Sequence, residues 1–219
     1  FFLMVAFSAP HAALQASPSA IEMYDGVFPE SPYRSPRYLS RRNPRAVFAA
    51  MISQTDRNVE QIISALEANG LAENTLIIFT SDNGPAQEGG EDVAFFNAAG
   101  GLRGIKRDLY EGGIRVPMII RWDRIIKGGQ VSGHVAAIWD IMPTLADVSG
   151  IPLNQPTEGV SFLPTLTGQS RQPDHASLYW EFHELGGRQA VRIGPWKGVR
   201  NSISGSSEFV IELYNLETD

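Results

Sequence analysis

The chain has 219 residues, 43% hydrophobic and 19% charged, with a formal net charge of −6 and no cysteine. That length can bury a sizeable core in one domain, or in one domain with a small annex. The acidic balance offers nucleic acid no footing, the absence of thiols excludes disulfides and thiolate metal sites, and no apolar run approaches the roughly 20 residues of a membrane span.

Phe1 to Phe7 is a continuous apolar run of strand formers, ending at Ser8-Ala9-Pro10-His11; it reads as a strand feeding a loop. It has neither an initiating Met nor a basic n-region, so it is not expected to be a signal peptide. The chain reads as one cut from a longer protein at both ends. His11 is either a plain surface residue or an imidazole placed for proton transfer near neutral pH. Residues 12 to 43 are rich in Pro, Ser and Arg, as in Ser31-Pro32-Tyr33-Arg34-Ser35-Pro36-Arg37, with no sustained periodicity. They read as a long excursion, of a length that is usually functional inside a domain. Its arginines face an anionic substrate or solvent, and the sequence does not choose.

Asn43-Pro44 opens a helix, Asn as N-cap and Pro at the first helical position. Val47, Phe48, Met51, Ile52, Thr55, Val59, Ile62, Ile63 and Leu66 form its apolar face, and Asn69-Gly70 ends it. Leu76 to Phe79 is a short apolar run that reads as a buried strand. With Phe1 to Phe7 it would form a right-handed crossover of two parallel strands. It delivers Asp82 and Asn83 to a tight turn at its C-terminal end, where open α/β sheets place ligands. Two adjacent hard oxygen donors suit Ca²⁺ or Mg²⁺, although Asp-Asn-Gly is also a common plain turn.

Gln87, Glu88, Glu91 and Asp92 lack the spacing of a calcium-binding EF-hand loop and read as an exposed loop. The glycines between Asn97 and Gly104 would let backbone approach an anion, and Lys106 follows on a loop. With a net negative chain, any anionic substrate must be held by such a local site. Gly112 and Gly113 read as a tight turn, with Glu111 and Arg115 as a half-buried ion pair. Val116 to Trp122 is the next strand, Lys127-Gly128-Gly129 a turn, and His134 to Ile138 a further short strand. Asp140 caps a helix running to Val148, stopped by Gly150 and Pro152; Asp140 and His134 read as structural. From Gly159 short runs (Ser177 to Phe182, Gln189 to Ile193, Trp196 to Arg200, Glu208 to Leu213) with close turns indicate an antiparallel meander. Trp180, Glu181, His183 and Trp196 would line a sugar-binding rim or, more simply, pack the sheet. The expected division is residues 1–158 and 159–219.

Ser81-Asp82-Asn83-Gly84 after an apolar strand, then Gly104-Ile105-Lys106 and Tyr110-Glu111-Gly112-Gly113-Ile114-Arg115-Val116-Pro117, resembles the second half of a type I sulfatase of the alkaline-phosphatase superfamily. The segments Phe7 to Gln15 and Asp140 to Leu145 extend the resemblance over nearly the whole chain. It implies an α/β fold: part of an alkaline-phosphatase-like sheet flanked by helices, followed by a small C-terminal antiparallel-sheet subdomain. By the same resemblance Asp82 and Asn83 are ligands of Ca²⁺, with Mg²⁺ the lesser choice, and Lys106 contacts the sulfate. His11 binds the sulfate and protonates the departing alcohol, so His11 and Lys106 carry both catalytic and substrate-binding roles. The implied activity is sulfate-ester hydrolysis, with a sulfated small molecule or glycan as substrate. Leu102 to Lys106 and Val116 to Trp122 look most like bacterial glycan sulfatases, which implies a periplasmic or secreted protein.

The family's formylglycine arises in a Cys/Ser-x-Pro-x-Arg motif that this sequence lacks. The nearest string, Glu30-Ser31-Pro32-Tyr33-Arg34, places Glu30 in the nucleophile slot. The family's paired N-terminal aspartates are missing too. The chain on its own is therefore expected to be inactive, with the missing N-terminal half as its partner. A phosphonate or phosphodiester hydrolase of the same superfamily, or a non-catalytic anion- or glycan-binding derivative, remains the alternative.

Overall fold

The computed structural model describes residues 1–203 and 210–219. The chain divides into two compact units. The first comprises Phe1–Ala72, Asn83–Lys106 and Gly112–Arg115, and the second Glu73–Asp82, Arg107–Glu111 and Val116–Asp219.

The first unit is built along a long helix, here α2, and a short one that precedes it, α1 (Pro18–Glu22). Helix α2 spans Pro44–Ala68, with Pro44 where its fixed φ and missing N–H cost nothing. Asn43 precedes it, but its side chain makes no capping bond. That role falls to Glu30, whose carboxylate accepts from Arg45 N at 3.1 Å and Ala46 N at 2.8 Å. A carboxylate here satisfies two orphan donors and meets the positive end of the helix dipole. The residue that the sequence places in a nucleophile slot thus works as a helix cap. Gly70, at φ 68°, ends the helix in the left-handed region, as its position indicates.

The core packs Leu14 between Val47 and Met51, with Ala9, Ala16, Ile21 and Phe48 around it. The expected apolar face is corrected at Ile52, which is exposed, while Ala46 and Ala50 are buried. The buried arc thus runs through Ala46, Val47, Ala50 and Met51. A ring cluster links the excursion to the helix: Phe28 meets Phe96 at 5.6 Å and Phe48 meets Phe96 at 5.2 Å. Within the excursion, α1 is capped by Ser17 Oγ accepting from Ala20 N at 3.3 Å.

The expected strand at Phe1–Phe7 does not form, and Phe1 is 86% exposed. A strand persists only by pairing its backbone groups, and none of the described strands lies beside this segment. The parallel crossover is therefore absent. In the second unit β1 (Ile77–Thr80) pairs antiparallel with β2 (Met118–Arg121), from Ile77 opposite Arg121 to Thr80 opposite Met118. A two-stranded ribbon cannot cover both faces, so β1 is half-exposed where a fully buried strand is expected.

The strand expected over His134–Ile138 is also replaced, by a 3₁₀ turn over Ile138–Asp140. Asp140 Oδ2 reaches back to accept from Ala137 N at 2.7 Å, which bends the chain. The helix then runs over Ile141–Ser149, named α4 after the short α3 (Glu111–Ile114), and Gly150 at φ 67° ends it. After α5 (Leu163–Thr167) comes the expected meander: β3 (Leu178–Phe182), β4 (Arg188–Ile193), β5 (Trp196–Asn201) and β6 (Glu212–Asn215), all antiparallel neighbours. Alternation turns Leu178, Ala190, Lys197 and Val199 inward. The last described strand begins at Glu212; residues 208 and 209 of the expected one lie outside the described residues.

Candidate functional site

In the first unit the motif glycines bring three backbone segments closer than side chains would allow. A Cβ on Gly84 would lie 1.9 Å from the Gly112 carbonyl oxygen, and one on Gly112 would lie 2.2 Å from that of Gly104. Such separations are sterically forbidden, so the Asp-Asn-Gly and Glu-Gly-Gly motifs need glycine at these two positions. The gap is closed by hydrogen bonds: Gly84 N donates to Gly113 O at 2.8 Å and Gly112 N to Arg103 O at 2.7 Å. Lys106 N donates to Pro85 O at 2.8 Å. Asn83 and Lys106, 23 positions apart, are thereby held in one backbone frame.

Asn83 is half-buried, and its Nδ2 donates to Gly84 O at 2.9 Å. That bond holds the carboxamide nitrogen in the turn. Asp82 is exposed at the end of the β1 segment. Among the described residues no three His, Asp or Glu side chains gather in a way that would hold a metal ion. The chain offers Asp82 and Asn83 as two hard oxygen donors, a set that fits Ca²⁺ or Mg²⁺ and supplies only part of the six to eight oxygens that Ca²⁺ takes. Lys106 is half-buried, with its backbone N in the frame.

His11 is exposed, on a turn closed by His11 N donating to Ser8 O at 2.9 Å. Its Nδ1 lies 2.6 Å from Ala12 O. A carbonyl oxygen only accepts, so Nδ1 carries a proton and Nε2 is the nitrogen left to exchange one.

The acidic segment expected to be an exposed loop is corrected. Glu91 is 7% exposed, and its Oε1 has no hydrogen-bond partner among the described residues. Burial pushes its carboxyl up to about 7, opposed by backbone hydrogen bonding from Glu88 and Ala12 and by the charge of His11. Glu88 accepts from Tyr38 Oη at 2.8 Å. Asp92 accepts from Arg45 Nη2 at 2.7 Å, a bond that holds its carboxyl below the usual carboxylate range. Arg41, in the Arg-rich excursion, donates to Leu14 O at 2.8 Å, whereas Arg34, Arg37 and Arg42 are exposed.

In the second unit Lys197 pairs with Glu111, Nζ lying 2.7 Å from Oε1, a contact across 86 positions that local spacing does not announce. Lys197 is 1% exposed and lies 5.5 Å from the Trp180 ring, which packs on Trp139 at 6.0 Å. Trp180 is thus bound into the sheet's packing, while Glu181, His183 and Trp196 are exposed. Asp140 is wholly buried, and its carboxylate accepts from Ala137 N, from Val160 N at 2.8 Å and from His175 Nε2 at 2.9 Å. Three donors on one carboxylate make it an architectural hub.

Comparison with known proteins bears on both units. The Sulfatase family model matches residues 1–151, and the model described as N-sulphoglucosamine sulphohydrolase, C-terminal, matches residues 104–218. The chain is 37% identical to steryl-sulfatase of Homo sapiens over 144 residues, covering 63% of this chain and 24% of that protein. It is similar to the solved structure of Ps i-CgsB in complex with k-i-k-neocarrahexaose, at 27% identity and a TM-score of 0.76, over 96% of this chain and 42% of that one. The phosphonate monoester hydrolase of Agrobacterium radiobacter also matches, at 25% identity and a TM-score of 0.58, over 80% of this chain and 35% of that one. The chain therefore spans less than half of each of these relatives.

Proposed function

The chain belongs to the sulfatase family, and from that premise we propose that the full protein hydrolyses sulfate esters of a glycan, with this chain supplying one part of the active site. The alkaline-phosphatase-like α/β fold with its small antiparallel C-terminal sheet is the family's. The observation that carries the reading is the frame that sets Lys106 N on Pro85 O, two residues beyond Asn83. It holds a cation and an oxygen donor in fixed register, as recognition of a compact anion requires.

In this reading Asp82 and Asn83 are the chain's oxygen ligands to Ca²⁺. With the formylglycine of the missing half, that ion would supply positive charge against the sulfate oxygens beside a covalent nucleophile. Lys106 sets a point charge on a sulfate oxygen. It stabilises charge as the ester bond lengthens, worth roughly 10²–10³ in rate for one such donor. His11 binds the sulfate and passes its Nε2 proton to the leaving alcohol oxygen, while Nδ1 stays on the Ala12 carbonyl. The glycan substrate class is supported by the k-i-k-neocarrahexaose in complex with the Ps i-CgsB neighbour. A periplasmic or secreted location goes with such a substrate and is checked by fractionation. No described helix is long and apolar enough to cross a membrane.

The phosphonate monoester hydrolase match supports a second reading, phosphonate-ester hydrolysis by the same anion-holding groups. One experiment separates the two: incubate the full-length protein with sulfated carrageenan and glucosamine oligosaccharides, and separately with a phosphonate monoester, and measure the ions released. Sulfate release in excess of phosphonate turnover is expected. The reverse order gives the second reading, and tight binding with no turnover of either gives a non-catalytic glycan-binding protein.

A further inference from the structure

We propose that the hairpin of residues 33–41, with Arg34, Arg37 and Arg42 as its cations, is a subsite for a second sulfate group of the glycan, one that is bound and not cleaved. The inference deepens the sulfate-ester reading and rests on His11 as the proton donor.

The hairpin belongs to the first unit and is firmly anchored there. Tyr33 N donates to Arg41 O at 2.8 Å and Arg41 N to Tyr33 O at 3.0 Å, an antiparallel bridge that closes residues 34–40 into a loop. Arg41 Nε donates to Leu14 O at 2.8 Å, which pins the bridge to a wholly buried core residue. Tyr38 Oη donates to Glu88 Oε2 at 2.8 Å, which pins the loop. The body of the hairpin packs on the Gly89-Gly90 turn. A Cβ on Gly90 would lie 2.9 Å from Tyr33 Cβ, and one on Gly89 would lie 3.7 Å from Tyr38 Cγ and 2.4 Å from Ala12 Cβ.

These anchors set the hairpin beside the residues that hold and cleave the ester. Tyr38 and Ala12 meet on the same glycine, and Ala12 adjoins His11. Leu14, where the bridge is pinned, is three residues from His11, a stretch that spans at most about 11 Å. In sulfate-ester hydrolysis the departing alcohol is the glycan itself, so groups beside the proton donor meet the rest of the sugar chain.

Alternation about the bridge decides which side chains are offered to it. The bridged pair, Tyr33 and Arg41, is half-buried, and the residue after each, Arg34 and Arg42, is exposed. Arg37 is exposed in the loop, where Ser35 Oγ accepts from its backbone N at 3.1 Å. Among the described residues none of these three guanidinium groups has an acidic partner, whereas Arg41 and Arg45 are tied into the unit. Like charges this close in the chain repel one another, and a bound anion relieves the repulsion. A guanidinium fork offers two parallel N–H donors to the oxygens of an oxyanion, which an ammonium does not. Lys106 thus serves the sulfate that is released and the arginines serve one that stays on the sugar.

The test compares two carrageenan oligosaccharides of equal length, carrying one and two sulfates per disaccharide, as substrates of the full-length protein. Native kcat/KM should favour the disulfated one by about tenfold or more. The triple variant Arg34→Ala, Arg37→Ala, Arg42→Ala should lose that preference through a raised KM, with its melting temperature held because the three side chains are exposed. The triple variant to Lys restores the charge without the fork and should recover only part of the preference. No preference in the native protein, a preference kept in the Ala variant, or full recovery in the Lys variant overturns the subsite. If the native protein releases sulfate from neither oligosaccharide, the sulfate-ester reading fails by itself, and equilibrium binding of the same two oligosaccharides then reads the hairpin. Weaker binding of the disulfated one by the Ala variant sustains the subsite, and equal binding by native protein and variant overturns it.

Discussion

In the second unit the buried charges are met by partners, and in the first one of them is not. Asp140 is buried against two backbone amides and His175, and Lys197 against Glu111 and the Trp180 ring. Glu91 is almost as deeply buried, yet one carboxylate oxygen has no partner among the described residues and its carboxyl is pushed up to about 7. The contrast separates charge used to build from charge kept under tension. A fully satisfied carboxylate fixes chain direction, as Asp140 does when it turns Ala137 back and ties Val160 to α4. An unsatisfied one costs stability that persists only where it is useful.

The largest effect that would sharpen this contrast is Asp140→Ala, which strands Ala137 N, Val160 N and His175 at a buried point. Chemical unfolding should show a loss of about 3–5 kcal/mol; a loss below about 1 kcal/mol would break the contrast. Next is Lys197→Met. It leaves the Glu111 carboxylate without its ammonium and should cost about 3 kcal/mol, most of it recovered in the double variant with Glu111→Gln.

Glu91→Gln should act in the opposite direction. The folded state holds the Glu91 proton more tightly than the unfolded chain does, so its stabilising contribution is complete below pH 4.5 and is lost as pH rises through about 7. Native stability should therefore fall across that window, by about 2–3 kcal/mol from this group, and Glu91→Gln should flatten the slope in a pH series of melts. An unchanged slope would place Glu91 with the satisfied charges. The smallest effect is Glu30→Ala, which removes the cap of α2 and should lower stability by about 1 kcal/mol with the helix retained by circular dichroism.

What was legible in the sequence follows the range of the interactions. Helix α2 and its glycine stop, the Gly150 stop of α4 and the four-strand meander rest on periodicity and turn residues a few positions apart. The motif glycines are legible as a pattern, but the reason for them is a contact between Gly84 and Gly112 that only the folded backbone displays. The failures are of two kinds. Phe1–Phe7 has strand composition but no described neighbour to pair with, and pairing is not a property of one segment. Asp92 found its partner in Arg45, 47 positions away, and Glu91 lost its solvent to the folded chain. An acidic stretch looks like a solvated loop until its burial is known. The composition of residues 87–92 gave no sign of which carboxylate would be shut away.

The measurement that tests the account most directly sets the two lysines side by side in the full-length protein, reading sulfate release and melting temperature for Lys106→Ala and Lys197→Met. The account predicts that Lys106→Ala lowers kcat by roughly 10²-fold or more at a nearly unchanged melting point. Lys197→Met should lower the melting point while its folded fraction keeps kcat within a few-fold. Native turnover in Lys106→Ala, or a kcat collapse in a fully folded Lys197→Met, would contradict it.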